Sequence, residues 1–372
     1  MRVSCEKSSL LEAINIVSKA ISVKSSTPIL EGVLLKTIEN GIYLMGNNLE
    51  IAIECKIDAV VEESGSIVLE NKLLTEILRK IGNGEVTISV DENQNTTIQS
   101  LGLDYRLKGM PATEFPDIPH VEEDHSFRVP SVLMKNMIKQ TIFNIDETQS
   151  RKILCGALFK FKDNTLHIVT ASQNRLSVRR EYLQNTAESE HSFVVPGKSL
   201  SELLKILKDT EESVSIFITN KYVMFECEDF KMVTRLIEGA FLEYENYLPK
   251  NMKYETKVVK QEILEKTEQC EPVVQSSGGI LIPVVYKFDF DTISIRSVTN
   301  LNSYMGVVSM DKCEANMEIG FNYKYLTEAI KAVDAENLVF KLNSEKSPFI
   351  IEAENSDRFT YMVLPVILHN GN

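Results

Sequence analysis

Only five histidines occur in the 372 residues, His120, His125, His167, His191 and His369. None lies in an H-E-x-x-H arrangement, and no G-x-G-x-x-G, G-x-x-x-x-G-K or G-x-S-x-G stretch is present. Gly278-Gly279 is a lone pair that reads as a turn, and the paired acids lie in loops outside any catalytic motif with His or Cys. Catalysis therefore lacks the residues to carry it, and no metal or cofactor is expected. The six cysteines, Cys5, Cys55, Cys155, Cys227, Cys270 and Cys313, form no C-x-x-C or zinc-like pattern. They read as reduced, mostly buried thiols. The start, Met1 to Lys7, carries charge where a signal peptide needs an apolar core. The longest apolar stretch, Gly279 to Tyr286, is far too short for a bilayer. A cytoplasmic protein without a membrane partner is expected. Positive charge is also short: 40 Lys and Arg against 53 Asp and Glu leave a net charge of -13. As an average this argues against nucleic acid, although a basic stripe can coexist with an acidic exterior.

What the chain does have is a repeat. Leu74-Thr75-Glu76-Ile77-Leu78 recurs as Leu200-Ser201-Glu202-Leu203-Leu204 and as Leu326-Thr327-Glu328-Ala329-Ile330, two steps of 126 residues. Asn48, Asn174 and Asn300 keep the same step, and Phe115 and Phe241 are each followed by a proline, Pro119 and Pro249. Repeats at a fixed period signal repeated structural units. Three homologous α+β domains are expected, over 1–124, 125–252 and 253–372. In the first, a strand (Met1 to Cys5) precedes a helix (Ser8 to Ala20) with Leu10, Leu11, Ile14 and Val17 on one face. Ser8 or Ser9 is the expected N-cap. Strands follow over Gly32 to Thr37, Gly41 to Gly46 and Glu50 to Ile57, with Asn40-Gly41 as a hairpin signal. A strand at Gly65 to Leu69 leads into a helix at Leu73 to Ile81. Later helices are expected near Ser131 to Phe143, Leu200 to Lys208, Lys260 to Gln269 and Tyr323 to Val333, with strands between Gly156 and Arg180. Leu11 to Leu74, Met137 to Leu200 and Ile263 to Leu326 each span 63 residues, so each domain reads as two similar halves and the chain as six helices.

Three such domains in series can curve into an arc, and two arcs can close into a ring with twofold symmetry. Twelve helices abreast, at roughly 10 Å each, would line a circumference of about 120 Å and leave a bore of roughly 28 Å. That passes a nucleic-acid duplex. The helix faces carry Lys19, Lys72, Arg79, Lys80, Lys135, Lys139, Lys205, Lys208, Lys324 and Lys331. Acids gather in expected strands and loops, as at Glu62-Glu63, Glu122-Glu123-Asp124 and Glu352. Lysine suits a sliding contact, offering flexible point charges rather than a fork fixed on base edges. Glu262, Glu265, Glu268 and Glu271 run against this trend in the third domain.

Several motifs then join. They are Arg235-Leu236-Ile237-Glu238-Gly239-Ala240-Phe241 continuing through Tyr244 to Leu248-Pro249, Met110-Pro111-Ala112 with Glu114-Phe115-Pro116, and Thr27-Pro28-Ile29-Leu30. Met317 to Asn322 and Leu364-Pro365-Val366 complete them. On these residues, and along essentially its whole length, the chain resembles the beta subunit of DNA polymerase III, the bacterial sliding clamp. The resemblance implies three DNA-clamp (processivity-fold) domains in a head-to-tail dimeric ring, with helices lining the bore and sheets outside. It implies a non-catalytic processivity factor that encircles duplex DNA without reading sequence and tethers the replicative polymerase. It also implies a pocket for short peptide motifs of the polymerase and the clamp-loader subunits, formed by Leu154, Arg175, Leu176, Leu242, Asn322, Tyr325, Met362, Val363, Leu364, Pro365 and Val366. By the same route Lys24, Lys72 and Lys198 would contact DNA.

Some positions depart from the family pattern. Ala171-Ser172-Gln173-Asn174-Arg175-Leu176 stands where the family reads Thr-Asp-Gly-His-Arg-Leu, and Leu242 where it has proline. Gln269 to Leu281 does not align with the family pattern, and paired charges for a dimer contact are not evident around Asn300 to Gly306. An altered partner preference and an apolar dimer contact are the expectations. Two alternatives stay open: a diverged accessory clamp, and a protein-interaction scaffold with a weakened DNA role.

Overall fold

The computed structural model describes residues 1–121, 126–183, 190–276 and 278–368. The expected boundary at 124/125, the acids Glu122 to Asp124, and His125 and His369 lie outside the described residues. The chain forms two compact units, 1–134 with 198–236 and 135–197 with 237–372.

The first third runs β1 (Arg2–Glu6), α1 (Lys7–Val17), β2 (Gly32–Ile38), β3 (Gly41–Asn47), β4 (Ile51–Asp58), β5 (Val60–Glu63) and β6 (Ser66–Glu70), then α2 (Asn71–Lys80), β7 (Glu85–Val90), β8 (Asn95–Ser100) and β9 (Leu103–Lys108). The second runs β10 (Ser126–Pro130), α3 (Ser131–Lys139), β11 (Gly156–Lys162), β12 (Thr165–Ala171), β13 (Arg175–Tyr182) and β14 (His191–Pro196), then α4 (Gly197–Ile206), β15 (Ser213–Ile218), β16 (Tyr222–Glu226) and β17 (Phe230–Arg235). The last runs β18 (Tyr254–Val259), α5 (Lys260–Glu268), α6 (Glu271–Gln275), β19 (Pro283–Phe288), β20 (Thr292–Val298), β21 (Ser303–Ser309) and β22 (Met317–Asn322), then α7 (Tyr323–Ala332), β23 (Asn337–Leu342), β24 (Phe349–Ala353) and β25 (Ser356–Val363). Apart from the short β5 and α6, each third therefore plays one motif twice: a strand, a helix and three antiparallel strands.

In the first unit the strands form two sheets, β5-β1-β7-β8-β9 and β10-β15-β16-β17-β4-β3-β2-β6. In the second unit they form β14-β11-β12-β13-β25-β24-β23-β18 and β21-β20-β19-β22. Helices cover one face of the sheets because their apolar stripes have the 3.6-residue period. Leu10, Ala13, Ile14 and Val17 of α1 and Leu74, Ile77 and Leu78 of α2 are buried. The Ser18 hydroxyl donates to Asn71 Oδ1 at 2.8 Å. In the second unit α5 and α7 lie side by side. Ile263, Leu326, Ala329 and Ile330 meet a cluster of rings there. Phe349 sits 4.9 Å from Phe321 and 5.0 Å from Phe340, centroid to centroid, in tilted pairs. Such rings contribute beyond the area they bury.

Several local expectations are corrected. The first helix starts at Lys7, so Ser8 and Ser9 lie inside it; its N-cap is Glu6, without a side-chain cap. Its last turn, Ser18–Ala20, is a 3-10 turn. The third helix likewise ends at Lys139, before a 3-10 turn at Ile142–Asn144. Seven α-helices are present among the described residues rather than six. The extra one, α6, falls within Gln269 to Leu281, the segment that departs from the family pattern, and Pro272 in its first turn suits a helix start.

The β2–β3 hairpin exists, but its turn is Glu39-Asn40, closed by the Ile38–Gly41 pair. Gly41 is needed for another reason: a Cβ there would lie 2.2 Å from the Ile57 carbonyl oxygen of β4. Two-residue hairpin turns with both residues at positive φ are instead Leu101-Gly102, at 48° and 80°, between β8 and β9, and Asp163-Asn164, at 47° and 59°, between β11 and β12. Such left-handed positions match the twist of the flanking strands. Gly41→Ala must push against backbone rather than a flexible side chain. A loss of about 1–3 kcal/mol in urea unfolding is the expected outcome.

Candidate functional site

The outer face of the β14-to-β18 sheet is apolar. Leu158, Val169, Ala171, Leu176, Val178 and Val194 lie on it beside Ile350 and Met362. The chain after β17 packs against them through Ile237, Phe241, Leu242 and Leu248. A cavity of about 480 Å3 remains, lined by Leu154, Arg175, Leu176, Leu242, Met362 and Leu364 from the expected set. Gln149, Ser150, Arg151, Ala171, Ser172, Gln173, Tyr247 and Pro348 complete its wall. Ala171 to Gln173 and Tyr247 sit beside singled-out residues in sequence. Gln149 to Arg151 and Pro348 carried no sequence signal; loop folding alone brings them in.

The remaining expected residues take other positions. Val363 is 1% exposed and belongs to the ring-rich core, because successive strand residues face opposite ways. Asn322 caps α7, its side chain accepting from Tyr325 N–H at 3.3 Å. Tyr325 lies under Arg175, with the guanidinium carbon 4.0 Å from the ring centroid. Val366 N–H donates to the Gly320 carbonyl at 2.8 Å, and Pro365 precedes it, partly exposed.

Arg175 is 8% exposed. It pairs with Glu328 and donates through Nη2 to the Phe143 carbonyl at 3.0 Å. A buried charge needs such partners. Arg175 thus ties β13 to α7 and supplies one wall of the cavity, while Gln173, on the exposed turn before it, adds a polar rim.

Behind Leu242, the loop is pinned by Tyr244, whose hydroxyl meets His167 Nδ1 at 2.8 Å. Lys160 bridges Glu245 at 3.2 Å and Glu190 at 3.4 Å. Burial holds the His167 imidazole down at about 4, helped by the charges of Arg180 and Lys160. The unfolded imidazole takes its proton near pH 6.5 and the folded one only near 4. Stability present above pH 6.5 is therefore lost as the pH falls towards 4. The unfolding midpoint is expected to drop over that window, and His167→Gln to flatten the drop in a pH series of thermal melts.

Several of the singled-out lysines form ion pairs. Lys205 pairs with Glu202 at 2.7 Å and Lys331 with Glu268 at 2.7 Å. Lys208 lies beyond the end of α4 and pairs with Asp229. Lys72, Lys198 and Lys324 are the second residues of α2, α4 and α7, one per domain, 126 residues apart and exposed. Lys324 pairs with Glu328 one turn on, at 4.0 Å; a cation in the first turn otherwise opposes the helix macrodipole. Lys24 is exposed in the loop after the first 3-10 turn.

Among the described residues no group of three or more His, Cys, Asp or Glu could hold a metal, and no helix is long and apolar enough to cross a membrane. Family models match the chain in three consecutive pieces: DNA polymerase III beta subunit N-terminal domain over 1–119, central domain over 128–243 and C-terminal domain over 246–367. The chain is 30% identical to the beta sliding clamp of Halalkalibacterium halodurans, covering 96% of this chain and 97% of that one. It is 28% identical to that of Bacillus subtilis, covering 98% and 99%. A solved putative DNA polymerase III beta subunit from Eubacterium rectale superposes with a TM-score of 0.95 at 31% identity, over 99% of this chain and all of that one. With its three domains matched in order from end to end, the chain belongs to the DNA polymerase III beta subunit family, the beta sliding clamps.

Proposed function

We propose that the chain is a non-catalytic processivity factor: a homodimeric clamp that encircles duplex DNA in the cytoplasm and tethers the replicative polymerase to it. The observation that carries this reading is the lysine at the second position of α2, α4 and α7, repeated in register at the helix end where the macrodipole disfavours a cation. A protein that slides needs charge at repeated positions and no base-edge fork. Domain boundaries at 124/125 and 252/253 go with this reading, and family coverage along the whole chain favours it over a scaffold without DNA.

Lys24, Lys72 and Lys198 are the proposed DNA contacts. With a net charge of -13, retention is topological, and direct affinity for short open duplexes is weak and falls with salt. Loaded protein is expected to stay on a closed circular plasmid through sedimentation and to leave once the plasmid is linearised. Lys72→Glu with Lys198→Glu lowers retention on circles. Equal retention on circles and linear DNA, or tight sequence-selective binding to a short duplex, would rule the reading out.

The cavity beside Leu176 and Leu242 is the proposed dock for short peptide motifs of DNA polymerase III and clamp-loader subunits. The outlying members Asn322, Tyr325, Val363, Pro365 and Val366 support its wall. Each peptide Leu or Phe buried there would contribute roughly 1.5–3 kcal/mol. After association costs, micromolar affinity follows. Leu176 is 2% exposed, so a charge there would damage the core as well as the site. Leu242 is half-buried and lines the opening. Leu242→Asp is expected to weaken titrated binding of the polymerase's clamp-binding peptide by roughly tenfold or more, by the loss of about one apolar anchor. Thermal stability should change little; unchanged affinity would remove the cavity from consideration.

A further inference from the structure

The chain from Ile237 to Leu248 leaves a second cavity against its sheet, beside the proposed dock. It measures about 260 Å3 and lies towards β14, the edge strand of that sheet. Its floor is the outward row of β11 and β14. Leu158 stands opposite Val194 there, and Lys160 opposite Ser192. Residues two apart on a strand share a face, so all four point out of the same side of the sheet. The roof is the stretch from Gly239 to Glu245. Among the described residues, Leu242 alone lines both cavities. One half-buried side chain therefore separates them.

The two cavities differ in charge. Arg151 and Arg175 line the first, with no Asp or Glu among the residues of its wall. Glu190, Glu243 and Glu245 line the second, against a single cation, Lys160. That lysine is already engaged, with Glu245 at 3.2 Å and Glu190 at 3.4 Å. Lys162 also reaches Glu190, at 3.2 Å. Glu243 is different. It is exposed, has no ion pair among the described residues, and accepts from Asn246 Nδ2 within its own turn at 2.8 Å. An apolar floor under a carboxylate rim suits a long basic side chain. Arginine and lysine bury their methylenes along apolar surface and keep the charged head at the mouth.

We propose that the second cavity takes a basic side chain of the same docked peptide, one or two residues from the apolar anchor held in the first. Its stem lies over Leu158 and Val194, and its charge meets Glu243. The inference rests on the peptide dock proposed above and adds to it a rule of partner choice: a basic residue beside the anchor is favoured. The spacing follows from the partition. Consecutive residues of a peptide are about 3.8 Å apart, so a near neighbour of the anchor clears Leu242, while a distant one passes beyond the cavity. Charge placed this way discriminates between partners more than it raises affinity for all of them.

The test uses the full-length protein and the clamp-binding peptide of its polymerase. The reference peptide carries alanines on both sides of its apolar anchors. In a second series one flanking alanine at a time becomes arginine, and fluorescence anisotropy gives each Kd. The expected result is a gain of at least about threefold over the alanine peptide, confined to one or two adjoining flank positions. The chain carries a net charge of -13, so general attraction favours arginine at every position alike, and a uniform gain overturns the proposal. Glu243→Gln removes the waiting charge. Ser192→Phe, at an exposed outward position of the edge strand, fills the cavity. Each variant is expected to bring the arginine-to-alanine affinity ratio down to about one. A positional gain that survives either variant overturns the second cavity as its cause. No gain at any position overturns the basic-flank rule and leaves the dock standing. An alanine peptide that does not bind the unaltered protein overturns the dock and this inference together.

Discussion

An antiparallel strand at a sheet edge carries a row of backbone N–H and C=O groups that must find partners or water. Much of the described structure follows from how these edges are met. A four-stranded half-sheet with one helix is too small to bury its apolar face alone. Joined at a seam, two half-sheets satisfy each other's backbone and double the covered area. The pairs that close the seams are buried accordingly: Ile53 faces Met232, and Ser177 faces Tyr361.

The cavity is a consequence of the second seam. When β13 meets β25, Leu176 comes opposite Met362, and two apolar outer faces become one. The chain from Ile237 to Leu248 covers part of that surface, held by the His167–Tyr244 contact and the Lys160 ion pairs. The uncovered part is the cavity. Arg175 belongs to the same seam. Its pairing with Glu328 and its place over Tyr325 fix the sheet to α7, so a residue of the expected peptide site also holds the domain together. The free edges β9 and β21 express the same constraint in its unmet form within one chain.

The local reading succeeded where the signal had a short period. Leu10, Ile14 and Val17 marked the inner face of α1, and Leu74, Leu200 and Leu326 marked equivalent helices. It failed where a residue type has several uses. Ser8 and Ser9 look like caps but lie within the helix. Gly41 looks like a turn residue but is small because β4 passes close by. Asp163-Asn164, one of the left-handed hairpin turns, lacks the glycine that would have flagged it.

By itself the sequence determined the threefold repeat, its division into halves, the helix and strand faces, and the family. Apolar spacing of two or 3.6 residues, and a constant step of 126, are carried by neighbouring residues and survive without any knowledge of contacts. The tertiary structure alone decided that Gln149 to Arg151, Tyr247 and Pro348 share a cavity with Leu154 and Leu364, and that Val363 turns away from it. It also decided which half-sheets are sealed and in what register. Strand pairing joins residues as far apart as Val178 and Thr360, and no spacing within either segment encodes the other.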